Sequence, residues 1–565
     1  MQKKKITDIL IRMAGFAAVA AGVLIQLLLF DRFCRIERNS MWLSVLYNCI
    51  PAILIGGLCY LPKRKAGGIT IAAIALTVSS IWLICNCMYY RVNGLFITWQ
   101  VAQMASNLHG YESSIAACWS WKLLALPITG LLSISAMALL PYERKAKGAM
   151  GIMGAALALY LISVPLKYAN RRNMNNRFCA EWFSLTTVPK GEGEACSMEY
   201  GEHIYMKMHS GLTYLLTFCK DAVWKEGSVE LSEEDRERIE AFIQRKTGEE
   251  ANEAAEGHLL YVLVESMEGW IMETTDLHGE PICPNLKRWA ESHPCIYTDK
   301  VFSQKVYGES GDGQLICTTG MLPIDNGLTC NLYGTNTYPN FAHFYPKSAI
   351  ISPSTYMYNR EITTYSYGFQ ELIEPVKETP WWNDNILVDK TIEYLSKADK
   401  PACVMALTVD SHMPFTNYNA EVDLADSIEG MERGYIRVFR HVDEELGRLL
   451  SWADTAACME NATIVITGDH YTWYEGFSGR PRSCPLIMTG PAIRENIAVE
   501  EMYQMDIYTI LLDALGQTDY YWQGFGVSAL KTDMRMPVAE QERPCSAQEA
   551  LYLSNLMIRT NYFGK

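Results

Sequence analysis

Three apolar runs in this sequence stop on ionisable side chains. HLLYVLV (258–264) is followed by Glu265, ACVMALTV (402–409) by Asp410 and His412, and ATIVIT (462–467), one Gly later, by Asp469 and His470. One such residue is ordinary turn or cap chemistry. Three sets can converge, because open α/β sheets bind ligands beyond the carboxyl ends of their strands. Two carboxylates with an imidazole form a hard-to-borderline donor set that suits Mn2+, Mg2+ or Zn2+.

A nucleophile is offered by KVYGESGDGQLICTTGMLP (305–323), in which Gly308, Gly311 and Gly313 surround Ser310. A helix is expected to follow near 313–320. A Ser on a Gly-flanked turn entering a helix is exposed and meets the positive field of the helix N-terminus. A divalent ion beside its oxygen lowers the hydroxyl pKa and makes it nucleophilic. Without the ion no base is evident. The segment is not GxSxG, so serine-hydrolase chemistry is poorly supported. Ser303, Thr318 and Thr319 are weaker candidates for the same role.

The elements that must position these residues alternate from residue 258 onward. The runs 258–264, 402–409, 462–467 and SAIIS (348–352) are continuously apolar and bounded by turns. Strands buried on both faces of a parallel sheet read this way. YIRVFRHVDEELGRLLSWA (435–453) has helical periodicity, and DIYTILLDALG (506–516) reads as a helix closed by Gly516. The fold class is therefore α/β, a mostly parallel sheet with helices on both faces. Upstream, SEEDRERIEAFIQRKTG (232–248) reads as a surface helix with Ser232 and Asp235 as a capping box and Gly248 as its stop. HIYMKMHSGLTYLLTFCKDAVW (203–224) has apolar residues at helical spacing, suited to a membrane surface or to packing on the domain.

The chain has 565 residues, enough for two or three folding units. Residues 1–172 carry 18 Lys/Arg and 5 Asp/Glu, a balance of +13, and the remainder carries 31 and 58, a balance of −27. The acidic part lacks the cationic surface that nucleic-acid binding needs. The first third holds five apolar stretches, at 9–30, 41–61, 67–90, 120–140 and 149–166, each near the length that crosses a bilayer. Lys3 to Lys5, Lys63 to Lys65 and Arg144 to Lys147 alternate between them, which suits a cytoplasmic N-terminus against the opposing Arg32, Arg35 and Arg38 of the first loop; an odd number of spans then puts residues 167–565 outside. Eleven of the 17 Cys lie after residue 172 with no CxxC pair and no zinc-ribbon spacing. Most read as buried small apolar residues rather than disulfides.

In order along the chain, five spans, ESMEGW (265–270), GESGDG (308–313), YNRE (358–361), DSHMPF (410–415) and GDHYTW (468–473) resemble the lipoteichoic acid synthase branch of the alkaline phosphatase/sulfatase-like superfamily, which includes phosphoglycerol transferases. MYYRVNGLFIT (88–98) and ESSI (112–115) look like that branch's outer loop. The resemblance implies that Glu265, Ser310, Asp469 and His470 are metal ligands, with Ser310 as nucleophile. It implies substrate contacts from His412 and Arg360, and a guanidinium fork suits phosphate oxygens. It departs at the nucleophile, mostly Thr in the family, and in the acidic setting of GESGDG. Sulfatase activity would need C/S-x-P-x-R, which is absent.

The resemblance also implies a multi-pass protein of a bacterial plasma membrane. It would have a five-span domain (1–166), a juxtamembrane helical linker (167–257) and an extracytoplasmic sulfatase-like catalytic domain (258–565). The implied cofactor is Mn2+, with Mg2+ or Zn2+ also permitted by the ligand types. The implied reaction moves a phosphoglycerol-type headgroup from a membrane phospholipid, through a covalent Ser310 intermediate, to an envelope glycan or lipid. A phosphoethanolamine transferase acting on lipid A or a glycan would share this site. A non-catalytic sensor or scaffold of the same fold would be expected to have lost a ligand.

Overall fold

The structure is a computed structural model. It describes residues 2–36, 41–102, 118–142, 150–156, 158–160, 201–223, 229–243, 256–354, 358–376, 381–416, 420–472 and 479–564, with the single residues 116, 148, 418 and 477. The chain divides into two compact units, with the last break between Glu226 and Gly227.

In the first unit four described helices are long and apolar enough to cross a membrane. They are α1 (Gln2–Phe33), α2 (Met41–Leu58), α3 (Lys65–Asn93) and α4 (Ala125–Leu139), the last extended backwards by a 3-10 turn, Trp121–Leu124. The expected fifth span coincides with a shorter apolar helix, Met150–Tyr160, and the rest of it lies outside the described residues. Polar side chains join the bundle from inside: Gln26 donates to Ser80 Oγ (2.9 Å) and to the Leu126 carbonyl (2.8 Å), and Asn48 donates to Asp31 (2.7 Å). In an apolar surrounding such bonds link helices that dispersion alone holds weakly. The described part of the segment 203–224 belongs to the first unit. Its helices, Gly201–Met208 and Tyr214–Val223, pack on the bundle, where Trp82 meets Phe218 edge-to-face (5.1 Å) and donates to the Gly211 carbonyl (3.0 Å).

The second unit is built on one nine-stranded sheet in the order β4-β3-β5-β1-β6-β7-β2-β8, with β9 also on β2. The strands are β1 Leu259–Val264, β2 Cys295–Phe302, β3 Lys347–Ile351, β4 Glu371–Ile373, β5 Ala402–Leu407, β6 Thr463–Gly468, β7 Cys484–Thr489, β8 Ile497–Ala498 and β9 Met502–Tyr503. Only β7 runs against the others, so the sheet is mixed. Period-2 alternation explains the continuous apolar runs. In β1, Leu259, Tyr261 and Leu263 enter one core while Leu260, Val262 and Val264 enter another. Each such aliphatic side chain contributes about 1.5–3 kcal/mol on burial.

One core is closed by α5 (Ser310–Thr319) together with Gln504–Ala514 and Ala547–Arg559. The other is closed by α6 (Asp384–Ser396), α7 (Gly430–Thr455) and Pro284–Ser292. The surface helix expected from 232 is Glu233–Glu240, capped by Ser232, which accepts from the Asp235 amide (3.1 Å). Its expected stop at Gly248 lies outside the described residues. Among the described residues the cysteines are free, and seven of those in this unit are buried, as small apolar residues would be.

Candidate active site

The parallel register places three strand ends in one row. Val264 of β1 faces Gly468 of β6, and Leu263 faces Leu407 of β5. The next residues of β1 and β6 are therefore Glu265 and Asp469, side by side at the centre of the sheet. Ser310 starts α5, which packs close to β6: a Cβ on Gly313 would stand 2.0 Å from the Asp469 carbonyl oxygen. No side chain other than hydrogen fits there.

This brings Glu265, Ser310, Asp469 and His470 together, all buried. Ser310 donates to Glu265 Oε2 (2.9 Å), and its Oγ lies 3.3 Å from His470 Nε2. The same Nε2 is 3.6 Å from Glu265 Oε1 and 3.7 Å from Asp469 Oδ2. One ligand atom from each of Glu265, Asp469 and His470 lies within 4.8 Å of the others. Asp469 Oδ1 is held by two amides, Ser266 (2.8 Å) and His470 (2.7 Å), which leaves Oδ2 for the cluster. Ser266, at φ 54°, also donates its hydroxyl to Glu265 Oε1 (2.6 Å).

The electrostatics of the cluster call for a cation. Burial and the charge of Glu265 push Asp469 up to about 7. Against the opposing effect of burial, Asp469, Glu265 and Glu309 hold His470 up to about 10. Crowded carboxylate charge raises both groups, and a divalent ion held there would offset it. With two carboxylates, one imidazole and one hydroxyl converging, the donor set fits a divalent metal.

The remaining candidates fall around this cluster. His412 follows β5; against the opposing effect of burial, the His470 hydrogen bond first and the nearby His412 second hold Glu265 below the ordinary carboxylate value. The Nδ1 of His412 lies 2.8 Å from the Met413 carbonyl. Arg360 is buried, donates to Ser352 Oγ and lies 6.0 Å from the Tyr358 ring. Tyr358 and Asn359 both have positive φ (54° and 55°), and Asn359 is tied to the Cys330 carbonyl (3.0 Å). That backbone turns the Tyr358 ring onto Gly311, where an added Cβ would meet it at 2.8 Å. Arg360 is thereby linked to the nucleophile turn through one aromatic ring.

Asp410 does not join the cluster. Its Oδ2 accepts from the Asp384 amide (3.0 Å) and lies 3.1 Å from His441 Nε2. Ser303, Thr318 and Thr319 are buried and engaged elsewhere: Ser303 donates to Gln504 (2.6 Å) and Thr319 to the Leu315 carbonyl (2.7 Å). Thr318 faces the sulfur of Met405 (3.7 Å). The helix N-terminus also differs from expectation. The amides of Gly311, Asp312 and Gly313 turn back on the Gly308 and Glu309 carbonyls, so they are not free donors for an anion.

Four residues escaped the sequence reading. Asp312 collects the Val306 and Gly308 amides (2.8 and 2.7 Å), and burial pushes it up to about 7. Buried Lys305 pairs with the partly exposed Glu309 beside His470. Glu268 accepts from the amide and the hydroxyl of Thr472 (both 2.9 Å), while burial pushes it up to about 7. Lys305 and Glu309, four apart just before Ser310, were the one available signal.

Two family models match this chain. The sulfatase family matches residues 326–517 and the lipoteichoic acid synthase N-terminal domain matches residues 1–180. The chain is thus similar to lipoteichoic acid synthases in its first third and to sulfatases within its α/β unit. The lipoteichoic acid synthases of Staphylococcus saprophyticus and Staphylococcus aureus are each 19% identical over 464 residues, covering 77% of this chain and 68% of theirs. Among solved structures, the lipoteichoic acid synthase LtaP of Listeria monocytogenes is 16% identical with a TM-score of 0.46, covering 58% of this chain and 97% of its own. The lipooligosaccharide phosphoethanolamine transferase A of Neisseria meningitidis is 11% identical with a TM-score of 0.48, covering 90% of this chain and 96% of its own.

Proposed function

We propose that this protein is a membrane phosphotransferase that moves a phosphoglycerol-type headgroup from a phospholipid to an alcohol of the cell envelope, with its α/β unit outside the cell. The observation that carries the reading is the contact of one hydroxyl, Ser310, with Glu265 and His470 at the converging strand ends. Glu265, Asp469 and His470 would hold a divalent cation beside Ser310, Mn2+ in the first instance. A cation so held supplies positive charge that lowers the Ser310 pKa and offsets charge on the phosphoryl oxygens.

Ser310 Oγ attacks phosphorus, the bond from phosphorus to the diacylglycerol oxygen breaks, and the proton given up by Ser310 ends on diacylglycerol. Arg360 and His412 bind the non-bridging oxygens and favour the crowded transition state over the ground state. The headgroup phosphate is then esterified to Ser310. An acceptor hydroxyl attacks the same phosphorus, the bond to Oγ breaks, and the acceptor's proton returns to Ser310. The four ligands are all present, which favours catalysis over a scaffold role.

Release of diacylglycerol from phosphatidylglycerol by the purified full chain with Mn2+ tests the reading. Wild-type protein should release it and the Ser310→Ala variant should not, a loss of at least about 1000-fold for a covalent nucleophile. Equal release by both would refute the assignment. Release from phosphatidylethanolamine alone would favour the phosphoethanolamine reading.

A further inference from the structure

The residue just before the nucleophile has a backbone that only a specific purpose explains. Glu309 sits at φ 42° and ψ −118°, outside the regions an L-residue normally adopts. Such a conformation costs on the order of 1–3 kcal/mol and persists where neighbours over-determine it. What the conformation achieves is visible in the side chain. Glu309 Oε2 lies 3.3 Å from His470 Nδ1, on the side of the ring away from Ser310, Glu265 and Asp469. The Tyr471 carbonyl lies 3.0 Å from the same Nδ1. Two acceptors therefore face one ring nitrogen.

Lys305 completes the arrangement. Its ammonium, buried, pairs with the same Oε2 and lies 5.2 Å from the centre of the Tyr471 ring. Glu309 Oε1 is buried and accepts no hydrogen bond from the described residues. A carboxylate with one buried oxygen unsatisfied is costly unless its charge is used. Here it adjoins an imidazole whose other nitrogen faces the proposed cation.

We infer that Glu309 is a positioning residue: it holds the Nδ1–H tautomer of His470, so that Nε2 presents its lone pair to the cation, while Lys305 keeps the added carboxylate from repelling an anionic substrate. A carboxylate behind a metal-bound histidine fixes ring orientation and raises ligand basicity, and removing it typically weakens metal binding about 10–100-fold. Lys305 matters because Glu265, Asp469 and Glu309 already place three carboxylates around one approaching phosphodiester. The inference rests on reading Glu265, Asp469 and His470 as the ligand set.

The test titrates Mn2+ into the full-length protein in detergent by calorimetry, with melting of the metal-free protein measured in parallel. Glu309→Leu should weaken Mn2+ binding about 10–100-fold. Glu309→Gln keeps an oxygen acceptor toward Nδ1 and should lose less, a graded rescue that a purely structural role would not produce. Metal-free melting of both variants should fall to a similar extent, because either substitution leaves the buried Lys305 ammonium without its charged partner. Wild-type affinity retained in Glu309→Leu overturns this inference alone, as does an equal affinity loss in Glu309→Leu and Glu309→Gln. Wild-type protein that takes up no Mn2+ sinks the ligand set and this inference with it.

Discussion

The ends of β6 and β5 look alike in sequence and behave oppositely in the fold. Each presents an Asp followed within two residues by a His. At β6, two local amides occupy Oδ1 of Asp469, and Oδ2 is left facing Ser310's cluster. At β5, Asp410 is taken up by the amide that opens α6 and by His441 of α7. Asp384, the first residue of α6, returns the exchange by accepting from the Val409 amide (2.8 Å). The difference teaches that an acid at a strand end is a ligand only when its neighbours leave one oxygen unspent. At β5 the acid shapes the loop, and the following His412 is what the loop delivers.

Substitutions should separate the two ends. Asp469→Asn should weaken Mn2+ binding by more than about 100-fold, since it removes a ligand rather than a ligand's support. The metal-free protein should melt no lower than wild type, because burial and Glu265 already disfavour the Asp469 anion. Calorimetric titration and thermal melting of one preparation check both. Asp410→Asn should do the reverse. Disrupting a buried, doubly bonded carboxylate costs about 1–3 kcal/mol, read as a lower melting temperature, while Mn2+ affinity stays within about twofold. A large loss of Mn2+ affinity in Asp410→Asn would erase the contrast.

The smallest effect concerns Glu268, which lies beyond both ends and supports Thr472. Its folded pKa, about 7, exceeds the ordinary 4.5 chiefly through burial. A raised carboxyl pKa stabilises the fold most below the unfolded value, and that contribution is lost as pH rises through the folded value. Glu268→Gln should therefore gain stability relative to wild type on the order of 1 kcal/mol near pH 8, and little near pH 5. Melting at the two pH values reads the difference.

The sequence made the cluster legible because β1, β5 and β6 are buried on both faces and stop abruptly, so their periodicity and their last residues stand out. Other parts were hidden for physical reasons. β2 is only partly buried along CIYTDKVF, and β7 carries Pro485, so neither reads as a core strand. Asp410's partners come from residues 26 and 31 positions away, which no local pattern reveals. Glu309's place behind His470 depends on a positive φ that its residue type does not announce. Ser310 was expected to be exposed at a positive helix end, but it is buried, and the amides that follow it close on the preceding turn.

The central claim is that Ser310 becomes the phosphate carrier because a divalent ion is gripped beside it. Mass analysis of the proteolytic peptide bearing Ser310, from full-length protein incubated with Mn2+ and phosphatidylglycerol without an acceptor, addresses that directly. The account predicts a glycerophosphoryl adduct on Ser310 that disappears when the ion is chelated beforehand. An unmodified Ser310 in protein that nonetheless turns over the lipid, or an adduct on another residue, would contradict it.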